Sequence, residues 1–205
     1  MGKIKLTKGE LKRQRDGLRQ YERYLPMLQL KKQQLQLEIL QQANLLAEKD
    51  QDEQKRRQVI LAWAGLFAES EINFKSWITP SKILTSKKNV AGTDIPIFEA
   101  VEFKEIEYDL FSTPLWVDFA IEALRGLVSL MAQIRIIEQG MRVLKQELRI
   151  ATQRVNLFEK VKIPDAREAI RRIKIYIGDQ MANAVGRSKV AKRKIEEAAL
   201  EAASI

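Results

Sequence analysis

Apolar residues recur every seven positions along the first third of the chain. From about Thr7 to Glu71 this pattern is accompanied by few glycines and a single proline. A seven-residue apolar repeat is typical of a helix that pairs with another helix, so we predict one long coiled-coil helix over residues 1–71. Gln14, Lys32 and Gln42 interrupt its pairing face, which lowers stability but limits alternative registers. This face, here called the first seam, consists of Leu11, Leu18, Leu25, Leu28, Leu35, Ile39 and Leu46.

A second and more regular repeat begins at Leu115 and continues to about Ile163. Thr113 and Pro114 precede it and suit the cap and the first residue of a helix. We therefore predict a second long helix over residues 114–205, kinked near Pro164, because proline removes a backbone donor. Its pairing face, the second seam, consists of Leu127, Ile134, Ile137, Met141, Leu144, Leu148, Val155 and Phe158.

The segment between the two repeats, residues 72–113, has a different character. Pro80, Gly92 and Pro96 mark turns, and strand-forming residues cluster around them. The latter part of the stretch from Ile95 to Ile106 alternates between apolar and polar residues, and residues 83–85 are a possible pairing partner. We predict a small β-hairpin at the tip between the helices.

These elements define an all-α fold class. Helices of about 60 and 85 residues are roughly 90 and 125 Å long, too long for a compact globule of this mass. They are therefore expected to pair as a long antiparallel two-helix coiled coil, with the hairpin region between them. Gly126, Gly140, Gly178 and Gly186 lie within the second helix. Either close helix approach or local flexibility accounts for them.

The composition excludes several kinds of enzyme. The chain has no cysteine and no histidine, so thiol nucleophiles, imidazole bases and nearly all zinc chemistry are ruled out. The glycine-rich motifs that bind nucleotide phosphates are also missing from the sequence. Most carboxylates are expected on solvated helix faces. We expect a protein that is not an enzyme and needs no cofactor.

Charge is unevenly distributed along the chain, which has a net charge of +9. Residues 1–25 and 164–195 are basic, whereas residues 94–122 are acidic. The basic N-terminus lacks the apolar core of a secretory signal. The longest candidate membrane segment, residues 115–134, is interrupted by Asp118, Glu122 and Arg125. We therefore expect a cytoplasmic chain without direct membrane insertion.

Two other functional classes fit parts of this pattern. A generic coiled-coil scaffold explains the heptads but leaves the residues around Asn89 unexplained. A basic nucleic-acid-binding protein explains the cationic ends, but no aromatic platform or reading module accompanies them in the sequence. We expect no nucleic-acid partner.

Two short motifs carry a resemblance to a known family. The first is Asn89, Val90, Ala91 and Gly92, followed by the strand that starts at Ile95; the second includes Thr152, Arg154, Val155 and Asn156. Together with the order helix, hairpin, helix, they make the chain resemble the D subunit of the V/A-type rotary ATPases, which belongs to the central stalk, over nearly its whole length.

The resemblance implies a function. The chain would be a non-catalytic axle that transmits torque between ATP hydrolysis or synthesis and ion translocation in the membrane rotor, as a cytoplasmic part of the complex. Its implied partners are the catalytic A and non-catalytic B subunits of the hexamer, the F subunit alongside the coiled coil, and the funnel-like C/d subunit above the membrane ring. Both chain ends would enter the hexamer, which makes a docking tip of Lys8, Lys12, Arg13, Arg15, Lys189, Lys192, Arg193 and Lys194.

Overall fold

The computed structural model describes residues 5–65, 74–105 and 113–203. In chain order the elements are helix α1 (Lys8–Trp63), a short helix α2 (Lys75–Ile78), strands β1 (Pro80–Val90) and β2 (Thr93–Phe103), helix α3 (Trp116–Leu157), a π-helical turn (Phe158–Lys162) and helix α4 (Ile163–Ala203). Two long helical stretches and one hairpin between them confirm the predicted fold class. The end of the predicted strand at Ile106 lies outside the described residues.

Helix α1 begins at a side-chain cap. The Thr7 hydroxyl accepts a hydrogen bond from the backbone N–H of Glu10, at 3.3 Å. This bond satisfies one of the donors that the first turn of a helix leaves unpaired. The helix then continues through Pro26 to Trp63. Along it, half-buried and buried positions recur at alternating three- and four-residue steps, as the heptad pattern requires.

The β-hairpin closes through a two-residue turn at Ala91 and Gly92. Both residues have positive φ angles, 50° and 79°, which is the backbone of the type I′ turn that matches the twist of paired strands. The side chain of Asn89 supports the turn, because its Oδ1 accepts a hydrogen bond from the Gly92 N–H and its Nδ2 donates one to Asp94. The residues around Asn89 are therefore those that form and stabilise the tight turn.

The predicted strand pairing is confirmed. Ile83 lies opposite Val101 and Leu84 opposite Ala100 in an antiparallel register. Both strands extend well beyond the residues that alternation alone indicated, since each contains 11 residues.

Near Pro164 the second helical stretch changes its winding. The N–H of Ile163 bonds to the carbonyl of Phe158, which closes the wider π-helical turn. Pro164 then occupies the first turn of α4, where a missing N–H is tolerated. The π-helical turn lies where we predicted a kink.

The chain divides into two compact units, and residues 30–152 form one of them. Within it α1 and α3 run antiparallel, because Lys31 lies 3.9 Å from Glu147 while Arg56, further along α1, lies beside Gly126, earlier on α3. The hairpin does not stop at the connection between the helices. It packs back along them, with Pro96 and Ile95 against Gly140.

The other unit comprises residues 1–29 and 153–205. Here the ring of Tyr21 lies 5.3 Å from that of Phe158, and Arg167 donates a 2.8 Å hydrogen bond to Glu22. The buried face of α4 begins at Ile163 and ends at Ile173. From Gly178 to residue 199 every residue is exposed.

Candidate functional site

None of the fifteen predicted seam residues is exposed. On α1, Leu35 is buried and Leu11, Leu18, Leu25, Leu28, Ile39 and Leu46 are half-buried. The second seam has four buried residues, Ile137, Met141, Leu144 and Val155. Its other four residues, Leu127, Ile134, Leu148 and Phe158, are half-buried. Two paired helices cover only one face of each side chain, so half-burial is what such a seam provides. Ile137, Met141 and Val155 are buried more deeply than this, and Leu35 and Leu144, both 0% exposed, are the two exceptions with no exposed surface.

The hairpin explains these two exceptions. Leu35, Val90, Ile95, Leu144 and Ala151 form one buried cluster, with Ile39, Ala91, Val143 and Leu148 packed against it. The cluster therefore draws on α1, on both strands and on α3. At this cluster the hairpin packs against the two helices from a third side, so the core is enclosed.

The first family motif contributes to this cluster, and the second motif begins at the residue after Ala151. Val90 and Ala91 of the first motif pack in the same cluster as Ala151, the neighbour of Thr152. Within the second motif, Thr152 is half-buried, Val155 is buried, and Arg154 and Asn156 are exposed. The first motif thus contains a buried valine and the tight turn that positions it.

A partly buried ion pair fastens β1 to α1. Lys88 Nζ donates a 2.9 Å hydrogen bond to Glu38 Oε1, and Gln42 Nε2 donates one of 3.0 Å to the same oxygen. The Glu38 side chain is only 11% exposed. Burial raises the pKa of Glu38, but the hydrogen bonds from Gln42 and Lys88, together with the Lys88 charge, lower it more, so the pKa ends below its ordinary value.

We expect this pair to make stability depend on pH in the acid range. Glu38 binds its proton less tightly in the folded chain than in the unfolded chain, so its contribution is present above the ordinary value of 4.5 and is lost as pH falls through the folded pKa. Glu38→Gln should cost about 1–2 kcal/mol at neutral pH. In urea titrations its difference from the unchanged chain should shrink towards pH of about 3.

Lys88→Gln removes the same attraction from the other partner and should flatten the pH dependence in the same way. A difference in unfolding free energy between Glu38→Gln and the unchanged chain that stayed constant with pH would show that the pair contributes nothing.

Arg125 fastens the base of the hairpin to α3. Its Nε donates to the carbonyl of Trp77, at 3.0 Å, and its Nη2 to the carbonyl of Lys104, at 2.6 Å. The guanidinium also lies 4.9 Å from the centre of the Phe103 ring, within the range of a cation–π contact. The sequence showed Arg125 only as a charge that interrupts an apolar run. The presence of this charge within an apolar run was the sequence signal for the structural role of Arg125.

The glycines of the second helical stretch have different surroundings in the structure. A Cβ at Gly140 would lie 3.7 Å from the Pro96 carbonyl oxygen, so the neighbour is the hairpin and not a helix. At Gly126 it would lie 3.1 Å from a guanidinium nitrogen of Arg56, on the partner helix. Among the described residues, no neighbouring atom comes within 4 Å of a Cβ built at Gly178 or Gly186. The first two glycines thus face a neighbouring element, at ordinary contact distance for Gly140 and against a flexible side chain for Gly126, whereas the other two face open space.

The predicted docking residues all point to solvent. Lys8, Lys12, Arg13, Arg15, Lys189, Lys192, Arg193 and Lys194 are exposed. Some make ion pairs within their own helix, such as Lys192 with Glu196 and Arg193 with Glu197. On the exposed part of α4 the apolar residues Met181, Val185, Val190 and Ile195 also face solvent. This segment therefore offers charge and apolar surface together.

An exposed leucine stripe, which the sequence analysis missed, lies on α1. Leu30, Leu37 and Leu40 are 55%, 61% and 59% exposed. Leu37 is two residues from Leu35, or about 200° around the helix, so the stripe faces away from the first seam. Its neighbours on this face are Gln33, Gln34, Gln41 and Asn44, all uncharged. The signal was present as a second set of leucines seven and three residues apart.

A groove of about 500 Å³ lies between the end of α1 and the start of α3. Val59, Ile60, Phe119 and Ala123 line it, with Lys55, Arg56 and Glu122 at its rim. Phe119 is 75% exposed and Leu115, one turn earlier, is 87% exposed. The groove is thus an open, largely apolar surface.

Two further properties of the described ranges bear on chemistry. No helix within residues 5–65, 74–105 and 113–203 is long and apolar enough to cross a membrane. In the same ranges no three acidic side chains gather closely enough to hold a metal ion.

Taken together, the seams, the docked hairpin and the exposed cationic helix define a coiled-coil protein built for contacts with other chains. The chain belongs to the family of ATP synthase D subunits, whose sequence profile matches residues 10–193. The resemblance drawn from the two motifs is thereby confirmed.

Individual relatives agree with this assignment. The chain is 45% identical over 195 residues to the V-type ATP synthase D subunit of Borreliella burgdorferi, covering 95% of this chain and 96% of the relative. It is 34% identical to the protein of the same name from Chlamydia pneumoniae, covering 94% and 93%. The Chlamydia muridarum protein of that name is 32% identical, with 95% and 97% covered.

Proposed function

We propose that the chain is the central-stalk rotor component of a V/A-type ATP synthase, a non-catalytic axle between the A and B subunits and the membrane rotor. Family membership over residues 10–193 carries the proposal. Two paired seams suit an element that must transmit torque without melting, because every seam residue contributes burial along its length. The family assignment also explains the motif at Asn89, which a generic scaffold does not.

The exposed part of α4 supports a partner around the C-terminal segment. From Gly178 to residue 199 the helix has no buried residue, and an isolated helix of this length is only marginally stable in water. Lys189, Lys192, Arg193 and Lys194 lie in it. We propose that this segment enters the hexamer of A and B subunits, where an acidic socket would complement its charge.

Native mass spectrometry of the purified complex tests the assignment. A central axle must be present once per hexamer of A and B subunits, since it turns at the centre of the ring that they form. Homodimers of this chain that never associate with the hexamer would instead favour a self-associating scaffold. Saturable, steeply salt-dependent DNA binding would favour a nucleic-acid protein.

We further propose that the leucine stripe, Leu30, Leu37 and Leu40, binds the F subunit. Exposed leucines at seven- and three-residue spacing fit an apolar helix laid along α1. The neighbouring uncharged residues remove the desolvation cost that buried charges would impose. The groove at Phe119 is proposed as the contact for the funnel-like C/d subunit.

Two single substitutions separate these contacts. Leu37→Glu should reduce the recovery of the F subunit in pull-downs by at least about tenfold, because it places a charge in the interface. Phe119→Glu should instead reduce recovery of the funnel-like partner. Both side chains are largely exposed, so the melting of the isolated chain should change little.

Each variant is the control for the other. Loss of both partners from either variant would indicate general damage, and retention of the F subunit by Leu37→Glu would remove the stripe as its binding surface.

A further inference from the structure

Heptad repeats leave the axial register of two paired helices poorly determined. Within residues 30–152 the first seam repeats at a seven-residue interval from Ile39 to Leu46, and the second does so over Leu127, Ile134, Met141 and Leu148. A shift of one helix by seven residues therefore places leucine against apolar residues again. Polar seam positions such as Gln14 and Gln42 penalise such a shift only weakly, because both are half-buried and partly hydrated. Something else must fix the register.

We infer that the β-hairpin is a splint that fixes the register of α1 against α3. Its contacts reach both helices: Lys88 binds Glu38 of α1, whereas Pro96 and Ile95 lie against Gly140 of α3. In the buried cluster Leu35 and Leu144 meet Val90 and Ile95. Seven residues from Glu38 lie Lys31 and Leu45, and seven from Gly140 lie Gln133 and Glu147, so a slipped register loses both of these contacts.

The dimensions of the hairpin suit this role. Its base is held by Arg125 and its turn packs in the cluster that contains Ala151. At 1.5 Å per residue these two points on α3 are about 39 Å apart. A strand of 11 residues spans about 36 Å at 3.3 Å per residue. The hairpin therefore lies along α3 and is fastened near both ends.

Burial falls along one face of β2, because residues two apart on a strand point to the same side. Ile95 is 2% exposed, whereas Ile97, two residues later on the same strand, is 39% exposed. Thr93 is also buried, although its hydroxyl has no hydrogen-bond partner among the described residues. Since an unpaired buried hydroxyl is unfavourable, the apolar contacts around it must hold the strand in place.

The inference concerns the folded chain alone and does not depend on the rotor assignment. Because the chain has no cysteine, spin labels can be attached at chosen positions. We would label the exposed positions Gln34→Cys on α1 and Arg149→Cys on α3 in the full chain. Pulsed electron paramagnetic resonance then reports the distribution of distances between them, and circular dichroism reports helicity.

In the unchanged background one narrow distribution is expected. Ile95→Ala should broaden it or add a second distance, since a seven-residue slip displaces the labels by about 10 Å along the axis. Arg125→Gln, which frees the base of the hairpin, should do the same. Ile97→Ala removes the same atoms from a more exposed position on the same side of the strand and should leave the distribution narrow.

Helicity is measured for both splint variants, so that a change caused by simple loss of folding is recognised. Narrow distributions in both Ile95→Ala and Arg125→Gln, with helicity retained, would overturn the inference. Equal broadening in Ile97→Ala would also overturn it, because the effect would then not arise from the buried contacts of Ile95. Broadening in either splint variant, with helicity retained and Ile97→Ala narrow, supports it.

Discussion

Leu144→Asp should destabilise the chain by at least about 4 kcal/mol. Leu144 is 0% exposed and lies in the cluster that joins α1, the hairpin and α3. The substitution removes buried methyl groups and leaves an unpaired carboxylate in their place. Because folded domains are stable by only about 5–15 kcal/mol, this loss is a large share of the total stability. Urea denaturation followed by circular dichroism measures the loss.

Ile137→Asp should have a similar though smaller effect, since Ile137 is buried in the same seam but outside that cluster. Leu40→Asp is the matched control: it introduces the same charge at a leucine of the exposed stripe, and its cost should stay within about 0.5 kcal/mol. Unchanged melting of Leu144→Asp would mean that the second seam is wrongly placed.

Replacing Lys189, Lys192, Arg193 and Lys194 with glutamine should impair the assembled motor while sparing the fold. All four side chains are exposed, so the free energy of unfolding of the isolated chain should fall only slightly. The loss of the pairs with Glu196 and Glu197 costs a few tenths of a kcal/mol each. In the complex, four positive charges would be missing from the proposed socket. Coupled ATP hydrolysis should fall on the order of tenfold.

The matched control removes four exposed charges from the middle of α3. Arg135, Arg142, Lys145 and Arg149 are exposed, and replacing them with glutamine changes the net charge by the same amount. Hydrolysis should remain coupled in that control. If the α4 variant also hydrolysed ATP with full coupling, the cationic segment would have no part in docking.

The interactions near Glu168 show how charges along one side of a helix differ from a pair that joins two elements. Hydrogen bonds from Arg171 and Arg172 hold the pKa of Glu168 at about 2. All three groups lie on the solvent side of α4, where water screens their attraction. We therefore assign no structural role to this triad, in contrast to the Glu38 pair, which crosses from strand to helix.

The sequence determined the helices and their pairing faces, because a heptad repeat is a local property that each turn of helix displays. It also determined the hairpin: Asn89 and Gly92 favour a tight turn whatever surrounds them, and the flanking strand formers extend it. Even the site of the π-helical turn was signalled, since Pro164 lacks a backbone donor wherever it lies. The family followed from the two motifs together with the order helix, hairpin, helix.

Only the tertiary structure decided where the hairpin goes. Its contacts with Leu35, Gly140 and Arg125 join residues that are far apart in the sequence, and no local period encodes them. A glycine in a helix looks the same in sequence whether a strand approaches it, as at Gly140, or nothing does, as at Gly178. Likewise, leucines of the seam and of the exposed stripe share one spacing. Which set is buried depends on the elements that pack against it, and folding alone brings those elements together.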